Sequence, residues 1–351
     1  MFSTKAAHWG ARTGVLTLNG REIATPAFVV ATTRGAVPHL TPDHDVGAPL
    51  GVFAEDLWDA RGLVEATVDR DTLPFGSDFV VGAARRPDSR QITSKPNQDE
   101  ALAIDTAQGA RLAPVPAVVR FMTLLRPDVF VVPYDVPAQT TAKVGHNRLH
   151  KMVRRSKDWF AQFRATVPAG APAGASAGVP LLVATVPVEL ATSDFLNGLD
   201  ADGYAFASGA AAAAAQPFAN PAKLRLGMTA VDWRSVFEEV RHGADLVYAP
   251  LTPYADAGHA LTLTFAGTTP EFADLHDPRY AVDRAPLGGT GHSLAYVHHL
   301  LNAEEMTAQV LLQLHNHAVA TQLFADVRAS IARGTFDADL DSFLSTYNQA
   351  N

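Results

Sequence analysis

Val129-Phe130-Val131-Val132 is followed directly by Pro133-Tyr134-Asp135. Four apolar residues with no polar alternate are the pattern of a strand buried on both faces, as in a parallel sheet covered by helices. Comparable short runs recur at Val15–Leu18, Ala27–Val30, Phe79–Val81, Leu181–Thr185, Tyr204–Ala207 and Leu246–Tyr248. Helical patterns stand between several of them, at 115–125, 143–165, 231–242 and 303–333. Such alternation reads as an α/β fold with a largely parallel sheet. A chain of 351 residues favours a TIM-type (β/α)8 barrel over an open three-layer sheet. The expected organisation is a barrel over residues 1–280 and a helical C-terminal subdomain over 281–351.

Composition narrows the function. The chain is 47% hydrophobic, only 18% charged, and carries a net charge of −8. It can fill a core, and any nucleic-acid contact has to come from a local patch. Cysteine is absent, which excludes a disulfide framework, a thiol nucleophile and any thiolate-bound zinc or iron–sulfur site. The first residues lack the apolar run of a secretory signal, and no stretch reaches the roughly 20 apolar residues of a membrane helix. The reading is a soluble, cytoplasmic protein.

Several segments invite a chemical reading. The 143–165 helix places Leu149, Val153, Phe160 and Phe163 on an apolar stripe and Lys143, Arg148, Lys151, Arg154, Arg155 and Lys157 on the other face. That face is either an ordinary solvated one or a phosphate-contacting patch. Pro168–Pro180 is a low-complexity loop, and Ala210–Ala215 falls where a barrel would place a strand-end loop. Asn302 is placed to cap a helix starting at Glu304, and Gly334 to end one. Asp135, just past the buried run, is the best-placed carboxylate, because barrel chemistry sits at strand C-termini. It is either a loop carboxylate or a ligand group, and no second acid can be set beside it. His292, His298, His299, His315 and His317 do not converge at metal-binding spacing.

Ser293-Leu294-Ala295-Tyr296-Val297-His298-His299-Leu300-Leu301, Leu314-His315-Asn316 and Arg328–Phe336 resemble C-terminal motifs of the tRNA-guanine transglycosylase, or queuine tRNA-ribosyltransferase, family. Thr25-Pro26-Ala27-Phe28, Thr33-Arg34-Gly35, Leu40-Thr41-Pro42-Asp43 and Gly243-Ala244-Asp245-Leu246-Val247 resemble its N-terminal and strand motifs, in the right order. The resemblance implies a barrel that exchanges guanine in tRNA through an aspartate nucleophile.

The departures from that pattern are informative. Tyr248 stands at the nucleophile position. Leu73–Val81 keeps no D-S-G-G motif, the pocket glutamine is lost near Thr185–Pro187, and the Gly-Gly loop falls near Ala207-Ser208-Gly209. Asp135 alone remains of the base-binding set. The family's zinc cysteines fall on Arg284, Pro286 and Gly289, with His315 the one ligand-type residue kept, so no zinc is expected and no cofactor. Within the family these losses resemble the non-catalytic accessory chain of the eukaryotic enzyme. That resemblance implies a heterodimer with a catalytic subunit that exchanges guanine for queuine at the wobble position of GUN-anticodon tRNAs. It also implies tRNA contact through the complex, with Arg148, Lys151, Arg154 and Arg155 as candidate contacts, and residence in the cytoplasm, peripheral to mitochondria. The alternative is an active transglycosylase using another carboxylate, such as Asp245 or Asp256.

Overall fold

A computed structural model describes residues 2–8, 10–44, 46–62, 79–86, 95–135, 144–167, 180–228, 231–265, 267 and 270–350. Its centre is a closed barrel of eight parallel strands: β4 (Ala27–Ala31), β5 (Leu50–Phe53), β6 (Val80–Ala83), β9 (Val129–Val132), β10 (Leu181–Val186), β11 (Gly203–Phe206), β12 (Leu224–Gly227) and β13 (Leu246–Ala249). They follow one another around the barrel in chain order, and β13 pairs back onto β4 through Leu246 with Ala27 and Ala249 with Val30. This is the expected TIM-type architecture.

The continuous apolar run of β9 has the cause inferred from its sequence. Val129 and Val131 point into the barrel, among Val29, Val81, Val183, Leu226 and Tyr248. Phe130 and Val132 point outward into the core shared with the helices. There Phe130 meets Phe163 edge-on, with ring centroids 4.9 Å apart. Both faces of the strand are dry, so neither face selects polar residues.

The floor of the barrel is closed by an antiparallel meander, β1 (Phe2–His8), β2 (Ala11–Leu18) and β3 (Arg21–Thr25). The run Val15–Leu18 therefore belongs to this meander and not to the barrel wall. Leu16 and Leu18 plug the interior from below. The turn into β3 is Asn19-Gly20, both at positive φ (52° and 78°), the left-handed pair that a tight hairpin demands. A second hairpin, β7 (Ala101–Thr106) and β8 (Gly109–Pro114), is inserted between β6 and β9.

Helices cover the barrel: α1 (Ala54–Leu57), α2 (Val115–Leu125), α3 (His146–Thr166), α4 (Ser193–Asn197), α5 (Gly209–Ala215), α6 (Trp233–Arg241) and α7 (Thr252–Asp256). The alanine run is α5, not a loop. Ser208 caps it by accepting from the Ala211 N–H, and Ala211, Ala212 and Ala215 are buried. Pro168–Val179 and Lys143, named in the sequence reading, lie outside the described residues.

After strands β14 (His259–Leu261) and β15 (Phe272–Asp274) comes a small hairpin, β16 (Pro286–Leu287) and β17 (His292–Ser293). Helices α8 (Leu294–Asn302), α9 (Thr307–Arg333) and α10 (Phe336–Ala350) complete the chain. Asn302 does not start a helix. It ends α8, its Nδ2 donating to the His298 carbonyl at 2.9 Å, and Ser293 caps that helix instead. Gly334 does end α9, at φ 73°. Two cores serve this region. Leu287, Val297, Leu300 and Leu312 form a satellite cluster, whereas Phe324, Phe336 and Phe343 join the main core beside Phe237.

Candidate functional site

Barrel chemistry sits where strands end, and Asp135 lies three residues past β9 with its side chain fully buried. An ionised carboxylate offers about four acceptor positions. Here the chain's own donors take all of them. Oδ1 accepts from Asn97 Nδ2 at 2.8 Å and Arg148 Nη2 at 3.0 Å. Oδ2 accepts from Arg148 Nη1 and, at 3.3 Å, from Arg155 Nη1. The backbone N–H of Asp135 donates to Ser156 Oγ at 3.1 Å.

The partners are themselves fixed. Arg155 also donates to Asp99 and to the Asn97 carbonyl, and Trp159 Nε1 donates to the Asp99 carbonyl at 2.8 Å. Arg154 and Arg155 together hold the Asp99 carboxyl down to about 2. Asn97 Oδ1 accepts from Arg85 Nη2 at 2.7 Å, and Arg85 Nε donates to the Ala103 carbonyl. The Arg85 guanidinium is buried, and desolvation lowers its pKa. The space left between Arg85, Tyr134, Thr185 and Met228 is a cavity of about 20 Å³, room for a single water. Thr185 spends its hydroxyl on the Val132 carbonyl at 2.7 Å. Ser208 spends its own on the cap of α5.

Tyr248 does not face this cluster. It points into the apolar interior, fully buried, with its ring 5.9 Å from that of Phe53. A Cβ built on Gly51 would lie 2.5 Å from Tyr248 Cε1, so the phenol occupies the volume that a side chain on β5 would need. A recess of about 160 Å³ lies beyond the ends of β4 and β13, lined by Thr33, Arg86, Ala249 and Thr252 among others. Among the described residues no carboxylate lines it.

The two alternative carboxylates stand elsewhere. Asp245 enters β13 at the barrel floor, bound by Arg12 Nε at 2.8 Å and by the Arg225 N–H. Burial raises its pKa to about 6. Asp256 is exposed at the end of α7, where His39 Nε2 meets it at 2.6 Å.

Among the buried acids that escaped the sequence reading, Glu55 is the one that follows a barrel strand most closely in sequence. It lies two residues past β5, and its carboxylate accepts the backbone N–H groups of Arg86 at 2.6 Å and Asp105 at 3.4 Å. Burial pushes its pKa up to about 7. An acid directly after an apolar run was the available signal, but Gly51 breaks the run Leu50–Phe53.

The basic face divides in two. Arg148 and Arg155 turn inward onto Asp135, while Lys151 and Arg154 are exposed, Arg154 pairing with Asp99 at 2.9 Å. Of the D-S-G-G window, residues 73–78 lie outside the described residues. The loop that actually leaves β6 opens with Ala84-Arg85-Arg86.

The zinc positions do not fit a metal. Arg284, Pro286 and Gly289 are exposed on or beside the β16–β17 hairpin, and none has a side chain that ligates zinc. Among the described residues no three of His, Cys, Asp and Glu converge. His315 instead places Nδ1 3.0 Å from the Gly288 carbonyl oxygen and Nε2 2.9 Å from that of Leu261. It thereby ties the hairpin and β14 to α9. His298 is likewise engaged, with Nδ1 2.8 Å from the Leu275 carbonyl oxygen.

The family model for queuine tRNA-ribosyltransferase matches residues 86–349. The chain is 27% identical over 383 residues to the queuine tRNA-ribosyltransferase accessory subunit 2 of Schizosaccharomyces pombe, spanning 96% of this chain and 82% of that protein. It is 26% identical to the accessory subunit 2 of Anopheles gambiae, over 91% of this chain and 83% of that one. Against the queuine tRNA-ribosyltransferase of Caulobacter vibrioides it is 26% identical, over 96% and 95%. With the barrel, the ordered motifs and a match over most of its length in agreement, the chain belongs to the queuine tRNA-ribosyltransferase family.

Proposed function

We propose that this protein is a non-catalytic accessory subunit that pairs with a catalytic queuine tRNA-ribosyltransferase chain and helps it hold tRNA. The observation that carries the reading is the saturation of Asp135: a carboxylate whose acceptor positions are filled by Arg148, Arg155 and Asn97 has none left for a base. Tyr248 points the same way. A phenol packed in an apolar interior cannot act as the carboxylate that displaces guanine at the ribose. Two of the similar proteins carry the name accessory subunit.

A partner needs a surface, and the C-terminal region offers exposed apolar groups. Val282 is 84% and Met306 82% exposed, and Tyr296 is partly so. We assign the partner contact to this region, since an apolar patch left exposed is what an association surface covers. The tRNA contact is assigned to Lys151 and Arg154 on the outer face of α3, since an acidic chain must meet phosphates through a local patch. The place of action is the cytoplasm, including the mitochondrial periphery. Among the described residues no helix is long and apolar enough to cross a membrane.

The test is to purify the chain alone and with a catalytic relative, and to follow guanine release from a GUN-anticodon tRNA. The expected result is no turnover by the lone chain and a stable complex that turns over. Turnover by the lone chain overturns the non-catalytic assignment, and failure to associate overturns the subunit assignment.

A further inference from the structure

Arg148 faces the barrel from α3, and the opposite side of the same helix opens with two histidines. His146 and His150 stand four residues apart in its first turns, the spacing that puts two side chains on one face. Their ring centroids are 4.3 Å apart, with an interplanar angle of 73°. Both are exposed. Among the described residues neither ring makes a hydrogen bond or an ion pair. The contrast with other histidines is clear: His39 holds Asp256, His242 sits on the Glu238 carbonyl, and His315 reaches two carbonyl oxygens. Among the described residues, the nitrogen lone pairs of His146 and His150 are therefore uncommitted.

We propose that His146 and His150 form a two-imidazole chelate for a borderline-soft divalent transition ion, Cu2+ ahead of Ni2+ and Zn2+. Two imidazoles at i and i+4 reach one ion from one helix face, as the paired histidines of helical zinc motifs do. Imidazole nitrogen suits copper, nickel and zinc, and at a given nitrogen site affinity peaks at Cu2+. Mg2+ and Ca2+ require oxygen donors and are not ligands of this pair. Because the rings are exposed, they swing to converge without disturbing packing. Lys151, Arg154 and the positive end of the helix oppose a cation here, so the chelate is of moderate affinity. Its remaining coordination positions open to solvent and are filled by water. A bound ion adds positive charge to the face that carries Lys151 and Arg154.

The test uses the full chain, stripped with a chelator and titrated with CuCl2 at pH 7.5 against a weak competing ligand, read by calorimetry and by the visible absorption of nitrogen-bound copper. One equivalent binds to the wild type, and millimolar Mg2+ does not displace it. His146→Ala and His150→Ala each weaken that phase at least tenfold while leaving the circular dichroism spectrum unchanged. The double variant His150→Ala with Lys151→His keeps the number of histidines but sets the pair about 140° apart around the helix, and the phase stays lost. A copper phase that survives in either single variant, returns in the shifted pair, or yields to Mg2+ overturns the proposal.

Discussion

Arg148 lays both ends of its guanidinium on the two oxygens of Asp135, a parallel two-bond contact at the mouth of the barrel. The acid is wholly buried, and Arg155, the second cation on it, is nearly so. Removing the acid leaves Arg155 with Asp99 and the Asn97 carbonyl, and takes from Arg148 its two-bond contact. Asp135→Ala is expected to cost about 3–5 kcal/mol, the scale for breaking a buried pair from one side. Arg148→Ala should cost less, about 1–2 kcal/mol, because that side chain is partly exposed and Arg155 and Asn97 remain on the acid. Urea unfolding of the two variants checks the order, and equal costs would contradict it.

Glu55 makes stability depend on pH in a definite direction. Its carboxyl titrates near 4.5 when unfolded and at about 7 when folded, because burial disfavours the charged form. The folded state therefore binds the proton more tightly. The stabilising contribution is full below pH 4.5 and is lost as pH rises through 7. Asp245, raised from 3.8 to about 6, acts in the same direction over a lower window. Between pH 5 and 8 the urea midpoint should fall as pH rises. Glu55→Gln should flatten that fall, leaving below about pH 6.5 only the difference between Asp245 and His317, whose pKa burial lowers to about 4 and which acts in the opposite direction. An unchanged slope in the variant would show that Glu55 is not the group responsible.

The buried run of β9 and the carboxylate after it were legible because both rest on local pattern. The inward turn of Arg148 and Arg155 was not. Leu149 and Val153 suggested an apolar stripe, yet the buried face runs through Met152, Arg155, Ser156, Trp159, Phe160 and Phe163. The face is rotated because Asp135 and Asp99, 20 and 56 residues before Arg155, draw its guanidinium inward. No periodicity within the helix records that. Glu55 was hidden for a related reason. Gly51 interrupts β5 because the Tyr248 ring lies against it, a contact made across the barrel between residues far apart in sequence.

Restoring a carboxylate at position 248 should not restore chemistry. Tyr248→Asp removes a ring packed against Gly51 and Phe53 and places an acid among Val29, Val81, Val131 and Leu226. The cavity and the unpaired acid both destabilise, by about 3–5 kcal/mol together. The expected outcome is a lower melting temperature and no guanine exchange with a GUN-anticodon tRNA. Measurable exchange by the lone variant would mean that the interior opens enough to admit a ribose.

His315 connects the elements that a metal would otherwise hold together. Its ring nitrogens reach the carbonyls of Gly288, beside β16, and Leu261, at the end of β14. The satellite core beneath is small, so these contacts are a sizeable share of what positions the hairpin. His315→Ala should cost about 1–2 kcal/mol, the scale for hydrogen bonds lost while their carbonyls remain. The loss should be local. Amide exchange across residues 284–293 should accelerate, while the barrel strands keep the protection of the wild type. The wild-type chain prepared in the presence of a chelator should melt at the same temperature as without it. A drop in melting temperature on chelation would mean that a metal, and not His315 alone, holds the hairpin to α9.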